Sequence, residues 1–487
     1  MQLWRSPASA LGLATLCFVV VQLLRVDRPD PEAVFHVAVA KAYLSSGWMS
    51  EFPWMHGTWL AHHFVDPYWL THWLTIPILV VLPNPVQALK LIEVLAATAT
   101  VYCLARTLKR LGVASAYSWA LGALALTPTA VIRIGAYRGT TLFTLLWLVF
   151  LVTVTRARPK LIFCFSWVAV YLYTGFPLLP LTALAFALAV ALSESRLEWK
   201  PTVASLTGVA AGLLANPFFP RHFRFYRDDF IDSILQDGLI PGITLSSEWA
   251  SLAGFDLVKL ATIPLLLTAF TGLMIAAKGR KLSTQAVFVW VLSIGLFLLT
   301  ARSIKFLDYA QLTVWIAFAL SWPTVGGDLR WSKWALAILV AAIGAMNLRA
   351  THGYLLAVQK GQPAISEFQA LGDFLRQNTG NHEPVVAPWE DFPLLFMTNP
   401  HNTYPVGLNP NYLRRTDEKR FAAYTYLYAG AFKDPNVAIA QFFDAKMLVT
   451  RRNPRNRGEQ QLLASLAEYP LMRKAYENDS FLVYRNL

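Results

Sequence analysis

The residues of this 487-residue chain best suited to chemistry lie near its start, outside the apolar runs. In "DRPDPEAVFHVAVAKAYLSSGW", Asp30 and Glu32 head a stretch with apolar residues at helical spacing. A hydroxyl nucleophile must lose its proton as it attacks, and a positioned carboxylate accepts it. Burial beside a bilayer would raise the basicity of such an acid. The same residues also suit a helix cap, since Pro31 fits the first turn and an acid there complements the helix dipole. Both readings stay open at this point.

A second cluster, "FPWMHGTWLAHHFVDPYWLTH", sets His56, His62, His63 and His72 around Asp66. Histidine with carboxylate invites a metal. The spacing matches no compact ligand motif, however, and neither HExxH nor CxxC occurs. Substrate positioning, or a second carboxylate supporting the first, fits better. Trp48, Trp54, Trp59 and Trp69 suit the membrane interface and can also stack on sugar rings. A third set is basic: Arg133 and Arg138 in "VIRIGAYRGT", Arg302 and Lys305 in "TARSIKFLDY". Arginine offers phosphate a planar fork and lysine a compact charge. Lipid headgroups, or pairing with Asp308, are the plainer uses.

These groups must be positioned by membrane helices. Of the residues, 55% are hydrophobic and only 15% charged, and the mean hydropathy of +0.43 is that of a polytopic membrane protein. A helix needs about twenty apolar residues to cross. That measure predicts about eleven spans, near 8–25, 86–106, 115–132, 139–155, 161–175, 177–193, 202–216, 257–277, 284–301, 306–324 and 333–349. The first is read as a retained helix, because no small-residue cleavage site follows it. Arg5, Lys109/Arg110, Arg156/Arg158/Lys160, Arg196/Lys200, Lys278/Arg280/Lys281 and Arg330/Lys333 then share one side, which the positive-inside rule makes cytoplasmic. The alternation holds only if residues 67–83 lie on the surface instead of crossing. The net charge of +13 follows the same bias, and no module for nucleic acid appears. Cys17, Cys103 and Cys164 fall inside apolar runs and build no disulfide framework.

The expected fold is a polytopic α-helical membrane protein with a small C-terminal α/β extracytoplasmic domain. Its membrane part spans residues 1–350, with external loops at 26–85 and 216–256, and the tail spans 351–487. In the tail, "ISEFQALGDFLRQNTG" predicts a helix, "PVVAP" and "AKMLVT" short strands, and "LMRKAYEN" with "SFLVYR" a hairpin. "WEDFPLLFMTNPHNTYPVGLNPNY" predicts an ordered binding loop. "RHFRFYRDD" in the second loop reads first as a solvated or headgroup-facing surface and second as a lid. An external carboxylate, external cations and a soluble cap suit sugar transfer from a polyprenyl-phosphate carrier, since nucleotide-linked donors are lacking outside. Cations would stabilise the leaving phosphate, and one displacement would invert the anomeric centre.

The layout of one span, a long external loop opening on acids and a surface helix before the second span resembles the GT-C superfamily of membrane glycosyltransferases. "DPEAVFH" stands where that family has an Asp-Glu opening, and "ARTLKRLG" resembles its basic cytoplasmic turn. Protein O-mannosyltransferases and the lipid A aminoarabinose transferase are the kinds of member in view, with a bacterial subgroup suggested by "FVDPYWLTHWLTIP", "NPFFP" and "ARSIKFLDY". The resemblance implies Asp30 or Glu32 as the catalytic acid residue. His36, His62, His63, Asp66 and His72 are then supporting or acceptor-positioning groups, and Arg133, Arg138, Arg302 and Lys305 donor-phosphate ligands. No metal is carried over, because only some relatives hold a divalent one there. The implied partners are a polyprenyl-phosphate-linked sugar, a glycan, lipid or protein acceptor and the bilayer of a bacterial inner membrane. A degenerate glycan-binding or polysaccharide assembly or transport partner is the alternative. A transporter would place more ionisable groups at the midplane than Glu93 and Gln87.

Overall fold

The computed structural model describes residues 7–25, 27–125, 130–235, 239–240, 243–244, 261–279, 281–325, 330–454 and 456–487. Helix α1 (Pro7–Leu24) buries Ala10, Ala14 and Phe18 and exposes Leu13, Leu16, Val20 and Leu23. A helix with its small residues inward and its leucines outward is built for lipid, which gives leucine no reason to hide. Helix α2 (Pro31–Ser46) is followed by α3 (Trp69–Val81) and α4 (Pro85–Arg110). Among the described residues, α1, α4 and Thr284–Arg302 are long and apolar enough to cross a membrane, and several shorter helices are as apolar. Helix α3 has 13 residues, a length of ~20 Å against the ~30 Å hydrocarbon core. That suits the non-crossing segment expected over 67–83.

The segment 115–132 departs from the single span its composition predicts. It breaks into α5 (Ala116–Gly122), a 3-10 turn (Ala123–Ala125) and α6 (Ala130–Gly135). Helices α7 (Gly139–Thr155), α8 (Pro159–Leu172), α9 (Leu178–Glu194) and α10 (Lys200–Leu214) follow. Gly208 and Gly212 let α10 lie against the backbone of α8, where the Ser166 and Ser205 hydroxyls bond at 2.8 Å. Small residues four apart are how membrane helices approach closely. After α11 (Arg221–Leu235) and the paired strands β1 (Leu239–Ile240) and β2 (Ile243–Thr244) come α12 (Thr262–Lys278), α13 (Thr284–Arg302) and α14 (Leu307–Val325). Trp147, Phe150, Phe288 and Phe318 fill the core of this helical body. Helix α15 (Arg330–Gly361) runs on past residue 350 without a break.

The tail carries the expected strands β3 (Val385–Val386), β4 (Met447–Arg451), β5 (Met472–Glu477) and β6 (Phe481–Asn486). They form one sheet in the order β3-β4-β6-β5, parallel between β3 and β4 and antiparallel elsewhere. Around them lie α16 (Ile365–Asn378), α17 (Phe392–Thr398), α18 (Asn411–Thr416), α19 (Glu418–Tyr428) and α20 (Arg457–Glu468). Helix α17 falls inside the expected binding loop. Pro393 occupies its first turn, where a missing N–H costs nothing, and its apolar side chains are buried.

Tail and first loop share one core. Phe396 packs 5.1 Å from Phe52 and 6.4 Å from Phe35, between ring centres. Trp54 donates its indole N–H to the Pro400 carbonyl, and the Tyr404 N–H donates to the Trp54 carbonyl. "RHFRFYRDD" also differs from a solvated surface. It forms the start of α11, where His222 is fully buried and Asp228 is 3% exposed. Asp228 meets Arg224 and Arg227 of its own helix and Arg415 of the tail, and the tail's arginine is what makes its burial tolerable.

Candidate active site

Asp30 caps α2. Its Oδ1 accepts from the backbone N–H groups of Glu32 (3.1 Å) and Ala33 (3.3 Å). The cap reading is therefore correct, yet it uses only one oxygen. Oδ2 accepts from Arg138 Nη2 at 2.7 Å, and Arg138 Nη1 lies 3.5 Å from Glu32 Oε2. Arg138 is the residue before α7, so the loop between α6 and α7 clamps the head of α2. Burial works to raise the Asp30 carboxyl, but the Arg138 and Arg25 charges outweigh it and the net direction is down. Glu32 follows the same rule. Burial raises it, and Arg138, His36 and Lys305 together hold it at about 2. Its side chain remains 33% exposed, so a substrate can reach it.

Behind Glu32 runs a buried chain of rings. Glu32 Oε1 lies 3.8 Å from His36 Nε2, His36 Nδ1 lies 2.8 Å from His72 Nε2, and His72 Nδ1 lies 2.7 Å from Asp66 Oδ2. His36, His72 and Asp66 are 0%, 1% and 3% exposed. Asp66 Oδ1 accepts from the Tyr68 N–H at 3.0 Å, and the Tyr68 ring stands edge-on to His36 at 4.8 Å. Thr71 fastens α3 to α8 by donating to the Leu172 carbonyl at 3.1 Å. The two acidic clusters of the sequence are thus one connected site.

The remaining expected residues divide. Lys305 reaches Glu32 by its charge. Arg133 Nε donates to Asp308 Oδ2 at 2.7 Å, the plainer use foreseen for it. Arg302 is half-buried at the end of α13. His62 and His63 are exposed beyond the 3-10 turn Trp59–Ala61 and do not join the chain of rings. Trp59 is buried under Arg224, whose guanidinium sits 4.9 Å over its ring, and is no interfacial anchor. Arg25 was not foreseen. It is 7% exposed and its charge acts on Asp30. The signal for it was present, since Arg25 is also a basic residue at the external end of a predicted span.

Two cavities flank the site. One, of about 90 Å³, lies between α4, α5, α7 and α14, with Arg133 and Asp308 set among Val101, Leu104, Ile134 and Leu312. Thr141 lines it and accepts the Arg138 backbone N–H at 3.1 Å, which joins the cavity to the clamp. The other, of about 240 Å³, opens between the tail and the prolines on either side of Asp30, over the Asp391–Arg451 pair and Glu459. Among the described residues no three His, Cys, Asp or Glu side chains converge as metal ligands. The arginine fork already occupies the place beside Asp30 and Glu32 that a divalent ion would need, so these residues as arranged do not fit a metal.

No family model matches the chain, and no curated protein sequence matches it. Solved structures do. ArnT from Cupriavidus metallidurans bound to undecaprenyl phosphate superposes with a TM-score of 0.59 at 13% identity, over 98% of this chain and 97% of that one. The oligosaccharyltransferase of Archaeoglobus fulgidus gives 0.64 at 13% identity, over 91% of this chain and 69% of its own. This chain has the GT-C fold. The mycobacterial arabinofuranosyltransferase AftD shares the GT-C architecture too, with a TM-score of 0.56 at 14% identity over 99% of this chain and 41% of that one. In this chain, the head of α2 and the loop before α7 build the clamp.

Proposed function

We propose that the chain is an integral membrane glycosyltransferase that moves a sugar from a polyprenyl-phosphate carrier to an acceptor hydroxyl at the external face, with inversion. The observation carrying this reading is the pair Asp30 and Glu32 held on Arg138 beside an apolar cavity that contains Arg133. The phosphate end of the polyprenyl carrier lies at the cavity and meets Arg133, Arg138, Arg302 and Lys305. The acceptor enters from the cavity under the tail. Glu32 takes the acceptor proton, while the cations stabilise phosphate as the glycosidic bond breaks. Asp30 holds Arg138 and the helix terminus in register. This reading keeps the topology of about eleven spans, the boundary near residue 350 and the bacterial inner membrane, with the tail outside.

The fold and charge pattern support this reading, and transfer itself tests it. The purified chain is reconstituted with a panel of undecaprenyl-phosphate-linked sugars, and co-purifying lipid is identified by mass spectrometry. Wild type should consume one donor, and Glu32→Gln should lower kcat by 10²-fold or more, about the yield of a general base. Full transfer by both Glu32→Gln and Asp30→Asn would remove the assignment. Donor bound by the wild type but never consumed would favour the degenerate glycan-binding partner.

A further inference from the structure

With His72 neutral, hydrogen-bond bookkeeping gives the buried rings behind Glu32 a direction. A carboxylate only accepts, so Asp66 Oδ2 requires His72 Nδ1 to carry a proton. Neutral His72 then presents a bare Nε2, which requires His36 Nδ1 to donate. His36 Nε2 is left with a lone pair and no hydrogen-bond partner, fully buried and 3.8 Å from Glu32 Oε1. That is too long for a hydrogen bond and short enough for an ion pair. A lone pair facing a carboxylate oxygen lacks one proton. Either group could hold it, and in this tautomer neither does.

We propose that Asp66 and His72 lock the tautomer of His36 so that its Nε2 receives the proton Glu32 takes from the acceptor hydroxyl. This rests on the reading of Glu32 as the general base. The acceptor O–H breaks as its oxygen bonds the anomeric carbon, and the phosphate leaves with the electron pair of the old glycosidic bond. The proton passes to Glu32 and on to His36, which becomes an imidazolium between Glu32 and His72. It returns to water through Glu32, the exposed member of the chain. His36 touches no substrate and is a positioning residue.

The surroundings favour this order. Glu32 faces Arg138 and Lys305, whose charges leave its carboxylate a weak base, as well as Asp30 and His36. His36 faces Glu32, His72 and Asp66, with the Tyr68 and Tyr137 rings against it. Burial lowers its affinity for a proton, Glu32 and Asp66 raise it, a charge on His72 would lower it, and the net direction is down. Tyr43 and Tyr68 pack near His72, and neither brings a charge.

Nitrogen-15 resonance of histidine-labelled full-length chain in nanodiscs tests the assignment, with His36 identified by His36→Gln. At neutral pH, His36 should show a bare Nε2 and a protonated Nδ1. On acidification, its Nε2 should protonate while the carbon-13 signal of the Glu32 carboxyl stays that of an ion. An Nε2-protonated His36 at neutral pH, or Glu32 titrating first, would overturn the proposal. Wild type supplies both results, so a poorly folding variant does not obscure them. Where the undecaprenyl-phosphate panel identifies a donor, His36→Gln should lower kcat at least tenfold and shift the acid limb of the rate profile. It should leave undecaprenyl phosphate affinity unchanged, and an unchanged profile would equally overturn the proposal. A wild type that transfers none of the panel counts against the transferase reading, while the resonances still decide where the proton sits.

Discussion

Arg138 faces two carboxylates and carries the electrostatics of the site. Replacing it with Gln leaves Asp30 buried without its ion-pair partner, with only the Arg25 charge acting on it. Breaking such a pair costs about 3 kcal/mol, at the lower end of the usual range because Asp30 keeps its two backbone donors. Thermal melting of the detergent-purified Arg138→Gln chain should show that loss, and a melting point equal to wild type would remove the clamp. Protonation adds a second expectation. His36 lies below its ordinary 6.5 because it is buried, so the folded chain binds that proton less readily than the unfolded one. The stability linked to it is full above about 6.5 and declines as pH falls below that. Glu32, held at about 2 against an ordinary 4.5, adds a further loss as pH falls from 4.5 toward 2. His36→Gln should flatten the upper part of this dependence. Identical melting curves for the two proteins between pH 8 and 5 would contradict it.

Between elements, close approaches decide whether these residues meet. A Cβ at Gly139 would strike the Tyr68 ring, which stands against His36. Gly139→Ala should therefore cost about 1–3 kcal/mol by overpacking and disturb the His36 nitrogen resonances. Sharp, unshifted His36 signals would show that α7 and α3 yield without effect. The contact between α6 and α14 makes a different prediction. Arg133 and Asp308 are partly exposed, and such a pair is worth up to about 1 kcal/mol. If Arg133 also serves the donor phosphate, Asp308→Asn should tighten undecaprenyl phosphate binding about threefold. Titration of the lipid into the purified variant measures this, and weaker binding would leave Arg133 a purely structural partner.

The molecule as a whole joins its membrane body to its tail through a continuous aromatic core. Phe396→Ala removes a ring that touches Phe35, Phe52 and Trp54 at once. It should cost about 3–5 kcal/mol and open the tail to limited proteolysis ahead of the membrane helices. A digestion pattern equal to wild type would mean that tail and loop are held by their polar contacts alone. Since Asp27 and Arg28 also bond the backbone of Ile365 and Gln362, loosening the tail should disturb Asp30 next to them.

Much of this was legible in the sequence, and for local reasons. Apolar runs identify a membrane chain, short continuous apolar stretches identify β4 and β6, and Asp30 before Pro31 marks a helix start, because each depends on residues within a turn or a strand. The clusters at Asp30 and Asp66 were visible as candidates too. The sequence could not join them, since α2 and α3 are brought together by folding and the decisive contact between His36 and His72 spans 36 positions. Nor could it choose among four external cations, one of which clamps the acids while another pairs with Asp308. Residue type states which charges are available. Only the packing of distant helices decides which of them meet out of water, where a charge must have a partner.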